Sequence, residues 1–203
     1  MALIRPEKIL CIPSEEIFRH YGFDHQRIKT IEELGELLEA IDGASYWWNA
    51  GMPLSEENRA ALLTECADVI VMCAQLLRLD VVLYPVNMEP RIHGLRAALI
   101  NYGVLLSEKH GPMSVGLHLG RDIIEEAIRL AVSITGKEEL QEEILFKIRR
   151  QEERIAVEKE AAKAREEAEH KRRAAARAVE LEAKRAAKNA AKVAASTKKR
   201  KTA

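Results

Sequence analysis

Apolar residues recur at intervals of three and four over most of the first 155 positions, as in helices that bury one face. Ile28, Ile31, Leu34, Leu38 and Ile41 trace one such face and predict a helix from about Asp24 to Asp42, ended by Gly43. Upstream, Ser14 is placed to cap a short helix reaching about Tyr21, where Gly22 breaks it. Downstream, Gly51-Met52-Pro53 reads as a loop and Ser55 as the cap of a helix running to about Leu79. From Cys66 to Leu79 that helix is apolar on almost every side, which predicts the central member of a bundle. Pro85 and Pro90 mark a connection, Arg91 to Lys109 a helix closed by Gly111-Pro112, and Asp122 to Thr135 another helix. Gly136 interrupts the pattern, and a last helix begins near Lys137. No strand-like alternation of useful length is visible, so the expected fold is all-α: a helical bundle.

The pattern changes near Ile155. Beyond it Ala, Lys, Arg and Glu dominate, and the larger apolar residues are Val157, Val179, Leu181 and Val193. Helix propensity there is high but the apolar stripe is too thin to pack on a core. The expected organisation is therefore a domain over residues 1–155 and a charged tail over 156–203. The tail should be a solvated, extended basic helix that becomes disordered towards Lys198-Lys199-Arg200-Lys201.

Charge sharpens this division. The formal net charge is zero, yet Glu158 to Ala203 holds 15 Lys and Arg against 7 Glu, a net of +8 that leaves −8 on the rest. An acidic body with a basic tail suggests nonspecific binding of polyanions by the tail. The three cysteines form no zinc-like pair; Cys66 and Cys73, seven apart on an apolar helix, read as buried thiols. The start of the chain, with Arg5, Pro6, Glu7 and Lys8, is unlike a signal peptide, and no apolar run approaches about 18 residues. A cytoplasmic protein with no membrane association is the expectation. The six histidines show no pair at ligand spacing, and no Walker-type phosphate loop is present.

The chemistry concentrates in acids on two helices. One carries Glu32-Glu33-Leu34-Gly35-Glu36, the other Glu65-Cys66-Ala67-Asp68. Residues three apart on a helix face nearly the same way, so Glu33 pairs with Glu36 and Glu65 with Asp68. Antiparallel packing of the helices would converge four carboxylates on one point. Asp68 is the most informative of them, set in an apolar run where an ionised carboxylate costs several kcal/mol unless paired or bound to a metal. The residue one turn on is Met72 and the nearest basic residue downstream is Arg78, so an ion pair requires a cation from another helix. The alternative is a divalent cation, which relieves the mutual repulsion of crowded acids; oxygen ligands favour magnesium, with manganese possible.

These residues resemble the MazG-like all-α nucleoside triphosphate pyrophosphohydrolases, a superfamily that includes the dimeric dUTPases. Its hallmark is EExxE followed by ExxD, here Glu32-Glu33-x-x-Glu36, 28 intervening residues, and Glu65-x-x-Asp68. Gln26 and Lys29 match a Q-x-x-K lead-in, and Val69 to Met72 with Gln75-Leu76 match the flank of phage or bacterial members. The resemblance covers about Tyr21 to Leu79 and resumes at Lys147 to Arg154. It implies Glu33, Glu36, Glu65 and Asp68 as magnesium ligands, Glu32 as a further ligand or as a residue that orients the attacking water, and Glu32 and Glu33 as the catalytic pair. Lys29, Lys147 and Arg154 would meet phosphates, and Trp47 or Trp48, just past the first motif helix, would stack on the base. Two departures stand out. Gln151 replaces the Asn of a K-x-x-x-N-x-x-R pattern, and 78 residues separate Asp68 from Lys147, more than a minimal domain has. That insertion reads as extra helices or as a decayed second repeat, since Arg121 to Glu126 does not rebuild the motif.

The activity implied is magnesium-dependent hydrolysis of nucleoside triphosphates to monophosphates and pyrophosphate, by a homo-oligomer (dimer or tetramer), as nucleotide-pool housekeeping. A narrower dUTP or dCTP pyrophosphatase is one alternative. A non-catalytic helical module that binds nucleotide or nucleic acid is another.

Overall fold

The computed structural model describes residues 8–10, 12–83, 91–108 and 113–201. In chain order the elements are β1 (Lys8–Leu10), α1 (Ser14–Tyr21), α2 (Phe23–Asn49), α3 (Glu56–Leu77), β2 (Val81–Leu83), α4 (Ile92–Ser107), α5 (Met113–Ile134) and α6 (Lys137–Lys201). The chain forms two compact units, residues 1–153 and residues 154–203. The first is the expected all-α bundle. The two strands are three residues each and pair antiparallel, with Ile9 opposite Val82. A ribbon that short leaves no alternation long enough to read. The expected connection at Pro85 and Pro90 and the Gly111-Pro112 turn lie outside the described residues.

Within the first unit α2 packs on α3 and α4, and α5 packs on the same two helices from the other side. The short α2–α3 connection forces antiparallel packing. Gly43 of α2 faces Asn58 of α3 while Glu36 faces Glu65, seven residues away on both helices. α3 fills the centre, with Cys66, Ala67 and every residue from Val69 to Leu76 buried. It is long and apolar enough to cross a membrane by length and composition, but its apolar surface is spent on the bundle core. Cys66 and Cys73 are free and fully buried, and burial pushes both thiols far above the usual range, Cys73 to about 12.

Several helix boundaries differ from expectation. α1 begins on Ser14 itself, with Pro13 in the capping position. Ser55 does cap α3, its hydroxyl accepting from the Asn58 amide at 3.2 Å. α2 does not stop at Gly43 but runs six residues further, because Ala44 is buried and Trp48 packs against the core. A helical glycine costs only about 1 kcal/mol, which such burial exceeds. α5 begins at Met113, nine residues before Asp122, and passes through Gly116 and Gly120. Gly120 is there for contact: a Cβ would stand 2.5 Å from Leu77 Cδ1 and 3.1 Å from the Tyr102 hydroxyl.

The second unit is the later part of α6, which runs through Lys201, and its side chains from Ala156 to Arg185 are exposed. Alanine-rich composition favours this helix, supported by exposed one-turn pairs such as Arg173 with Glu169 and Lys184 with Glu180.

Candidate metal centre

The acids of α2 and α3 meet as their spacing requires. One carboxylate oxygen from each of Glu33, Glu36 and Glu65 lies within 4.8 Å of the other two. Glu33 and Glu65 are half-buried and Glu36 is exposed, so the cluster opens to solvent on one side. Glu65 Oε2 is buried with no hydrogen-bond partner, an orphaned acceptor beside two further acids.

Electrostatics in this corner are strained. Burial, then the charges of Asp68 and Glu36, push Glu33 up to about 7. Glu65 is raised by burial first and then by Asp68 and Glu36. Asp68 is raised by burial, an effect partly opposed by Lys147. Glu33, Glu65 and Asp68 thus resist ionising together, the penalty that a divalent cation removes.

Asp68 has taken the other partner open to it. Lys147, 79 residues on in α6, donates from Nζ to Asp68 Oδ2 and approaches Glu143 at 3.8 Å. Two expected functions, a metal ligand and a phosphate-binding cation, are therefore spent on one ion pair in this state. The charge of Arg150 also bears on Asp68. Neither Glu143 nor Arg150 is flagged by the motif; both lie on α6 within one turn of Lys147, and that spacing is the only signal for them.

Lys29 is likewise committed, donating to Glu32 and lying 3.6 Å from Glu33. Glu32 is exposed and is not among the three acids whose oxygens converge. Gln151 makes a reciprocal amide pair with fully buried Gln75, donating across 3.5 Å and accepting at 2.7 Å. Its role where the resemblance has Asn is thus to satisfy a buried amide on α3.

Trp47 and Trp48 are not past the end of the motif helix but in its last turns, both half-buried. At 100° per residue Trp47 shares the face of Glu33 and Glu36, whereas Trp48 turns towards α4. There it lines a groove of about 700 Å³ with Arg91, His93 and Arg96, and this concavity is not at the acids. Its arginines are already paired, Arg96 with Asp42 and Arg91 with Glu126. Burial works to raise the Glu126 carboxyl, but hydrogen bonds from Arg91 and the charge of Arg129 hold it below its ordinary value. The acids dismissed by motif at Arg121 to Glu126 therefore include a buried ion-pair centre. Arg154 is exposed at the start of the second unit.

Donor set, orphaned oxygen and mutual repulsion all fit a hard divalent cation bound by oxygen. No protein-family model, curated protein or solved structure matches this chain, so its affinities rest on the motif and on this geometry.

Proposed function

We propose that the protein is a magnesium-dependent nucleoside triphosphate pyrophosphohydrolase of the MazG-like type. The convergence of Glu33, Glu36 and Glu65, one oxygen of each within 4.8 Å of the others, carries the reading. These three would hold the cation, with Asp68 as a fourth donor once Lys147 lets go. When bound, the cation supplies neutralisation of the phosphate charge and a more acidic water.

The chain's own groups divide the remaining work. Glu32, next to Glu33 in sequence and exposed, would accept a proton from the attacking water. Lys29 would hold it in place through the Glu32 hydrogen bond. Lys147 would exchange its Asp68 partner for an incoming phosphate oxygen, which would free the Asp68 carboxylate to act as a donor. Water attack on the α-phosphorus then breaks its bond to the bridging oxygen and releases pyrophosphate.

The test is pyrophosphate release from a panel of canonical and modified nucleoside triphosphates, with Mg²⁺ and with EDTA. Activity should need Mg²⁺ and fall at least about 100-fold in Glu36→Gln and Glu65→Gln, given that metal and electrostatic groups supply several kcal/mol each. No release from any substrate would refute the proposal. The Asp68–Lys147 pair favours one second reading, a non-catalytic helical module in which these charges only hold α6 to α3. Under that reading calorimetric titration with Mg²⁺ and nucleotide gives no heat that depends on Glu36 or Glu65.

A further inference from the structure

The second unit holds a charge pattern that the carboxylate cluster does not use. From Lys171 to Ala203 the sequence has 12 Lys and Arg against 2 Glu. The segment is helical through Lys201, so the spacing of these cations has geometric meaning. Arg173, Arg177, Lys184 and Lys188 follow one another by 4, 7 and 4 residues. At 3.6 residues per turn they fall within an arc of about 60° and extend along about 22 Å of helix. All four are exposed. In sequence the same register continues through Lys192 and Lys199, about 39 Å from Arg173 at 1.5 Å per residue.

We infer that this stripe is a binding edge for the phosphate backbone of a nucleic-acid duplex, gripped without reading base sequence. Three observations select that partner. A membrane surface would need large apolar residues opposite the cations, but that side carries Ala175 and Val179 among the charged Lys171, Arg172 and Glu182, and Leu181 lies nearer the basic side. A single strand would call for aromatic stacking platforms, and no Phe, Tyr or Trp follows Phe146. A row of cations on a straight helix, by contrast, matches a regular line of phosphates. The acids present offer little competition. Glu169 and Glu180 pair with Arg173 and Lys184 one turn away, with all four side chains more than half exposed. Exposed pairs of this kind are weak and exchange readily for phosphate.

The inference is independent of the carboxylate chemistry, and its test reads binding only. Fluorescence anisotropy of the full chain would use 20-base-pair random DNA and RNA duplexes, single-stranded oligo-dT, and vesicles containing anionic lipid. With about six phosphates engaged, log affinity should fall against log salt with a slope near −5, losing about 10³-fold between 50 and 200 mM salt. Replacing the four described cations together (R173Q, R177Q, K184Q, K188Q) should flatten that slope by about 3 to 4. A charge-preserving variant separates the stripe from mere net charge. It combines Arg177→Ala with Ala178→Arg, Lys184→Ala with Ala183→Lys, and Lys188→Ala with Ala186→Lys, which scatters the cations around the helix. Circular dichroism checks that the helix persists. At least about ten-fold weaker duplex binding by the scattered variant supports the stripe. Equal binding, tighter binding to oligo-dT, or tighter binding to vesicles than to duplex would overturn it.

Discussion

Glu33→Gln should make the metal-free protein more stable at pH 8, although it removes a charged group from an ion pair. In the unfolded chain Glu33 titrates near its ordinary 4.5, whereas in the fold burial and the neighbouring acids hold it up to about 7. The folded state therefore binds the proton more tightly. This group's stability is fully present below pH 4.5 and is lost as pH rises through 7. By pH 8 the loss amounts to about 3 kcal/mol, at ~1.4 kcal/mol for each tenfold change in proton affinity. Glutamine cannot ionise and keeps the shape, so the variant escapes that loss. For a domain of this size the gain corresponds to roughly 6 to 12 °C in Tm. Thermal melts in EDTA from pH 5 to pH 8 would measure it: the native chain loses stability across the window and the variant loses much less. Added Mg²⁺ should flatten the native profile and leave the variant nearly unaffected, because the cation offsets the repulsion that the substitution also removes. Equal melting temperatures for the two proteins at pH 8 in EDTA would refute the account of a cluster under electrostatic strain.

Lys147→Met should cost about 1 to 3 kcal/mol without metal by leaving half-buried Asp68 unpaired, and Mg²⁺ should restore more stability to it than to the native chain; chemical unfolding with and without Mg²⁺ reads both effects, and an unchanged midpoint would mean the pair is idle. Gln75→Leu and Gln151→Leu should each cost about 1 to 3 kcal/mol because each leaves one amide of the pair without its partner, with the larger loss in Gln151→Leu, which strands the buried Gln75, while the double variant should return close to the native value; additive losses in urea unfolding would show that the two amides act separately. Gly120→Ala should destabilise by about 1 to 3 kcal/mol through collision with Leu77 and Tyr102, and Gly35→Ala, with open space around it, should stabilise α2 by about 0.5 to 1 kcal/mol; thermal melts that fail to separate the two substitutions would contradict the close packing of α5.

The parts of this fold that follow from local spacing were legible, and those that depend on distant contacts were not. Glu33, Glu36 and Glu65 were readable as one group because helix geometry fixes which residues share a face, and a short loop fixes how two helices pair. The Ser55 cap was readable for the same reason. The cation for Asp68 was not, since Lys147 arrives from 79 residues away and nothing local to either residue announces the other. Buried Glu126 and its partner Arg91 were missed likewise, being 35 residues apart in a segment whose acids fit no motif. Glycines misled in both directions. Gly43 looked like a stop and is crossed because Ala44 and Trp48 have core to pack on. Gly116 and Gly120 hid the first nine residues of α5, where the missing Cβ at Gly120 is what lets the helix approach Tyr102.

The unbroken passage of α2 through Gly43 makes that helix a ruler. Had the chain turned there, Trp47 would sit on a loop free to settle against molecules of many lengths. Instead Glu36 and Trp47 are fixed to one rod, 11 residues or about 16 Å apart, on one face. Helical side chains lean towards the N-terminus, so the indole reaches back along the rod and shortens that interval. A molecule anchored at the carboxylates touches the ring only if it is extended and long enough to span what remains. Inorganic pyrophosphate or a compact sugar phosphate could engage the acids and never meet the indole. On the proposed reading, discrimination by length would need no moving part, and inserting one residue between Glu36 and Trp47 would turn the ring about 100° away from the acids while lengthening the rod by only about 1.5 Å.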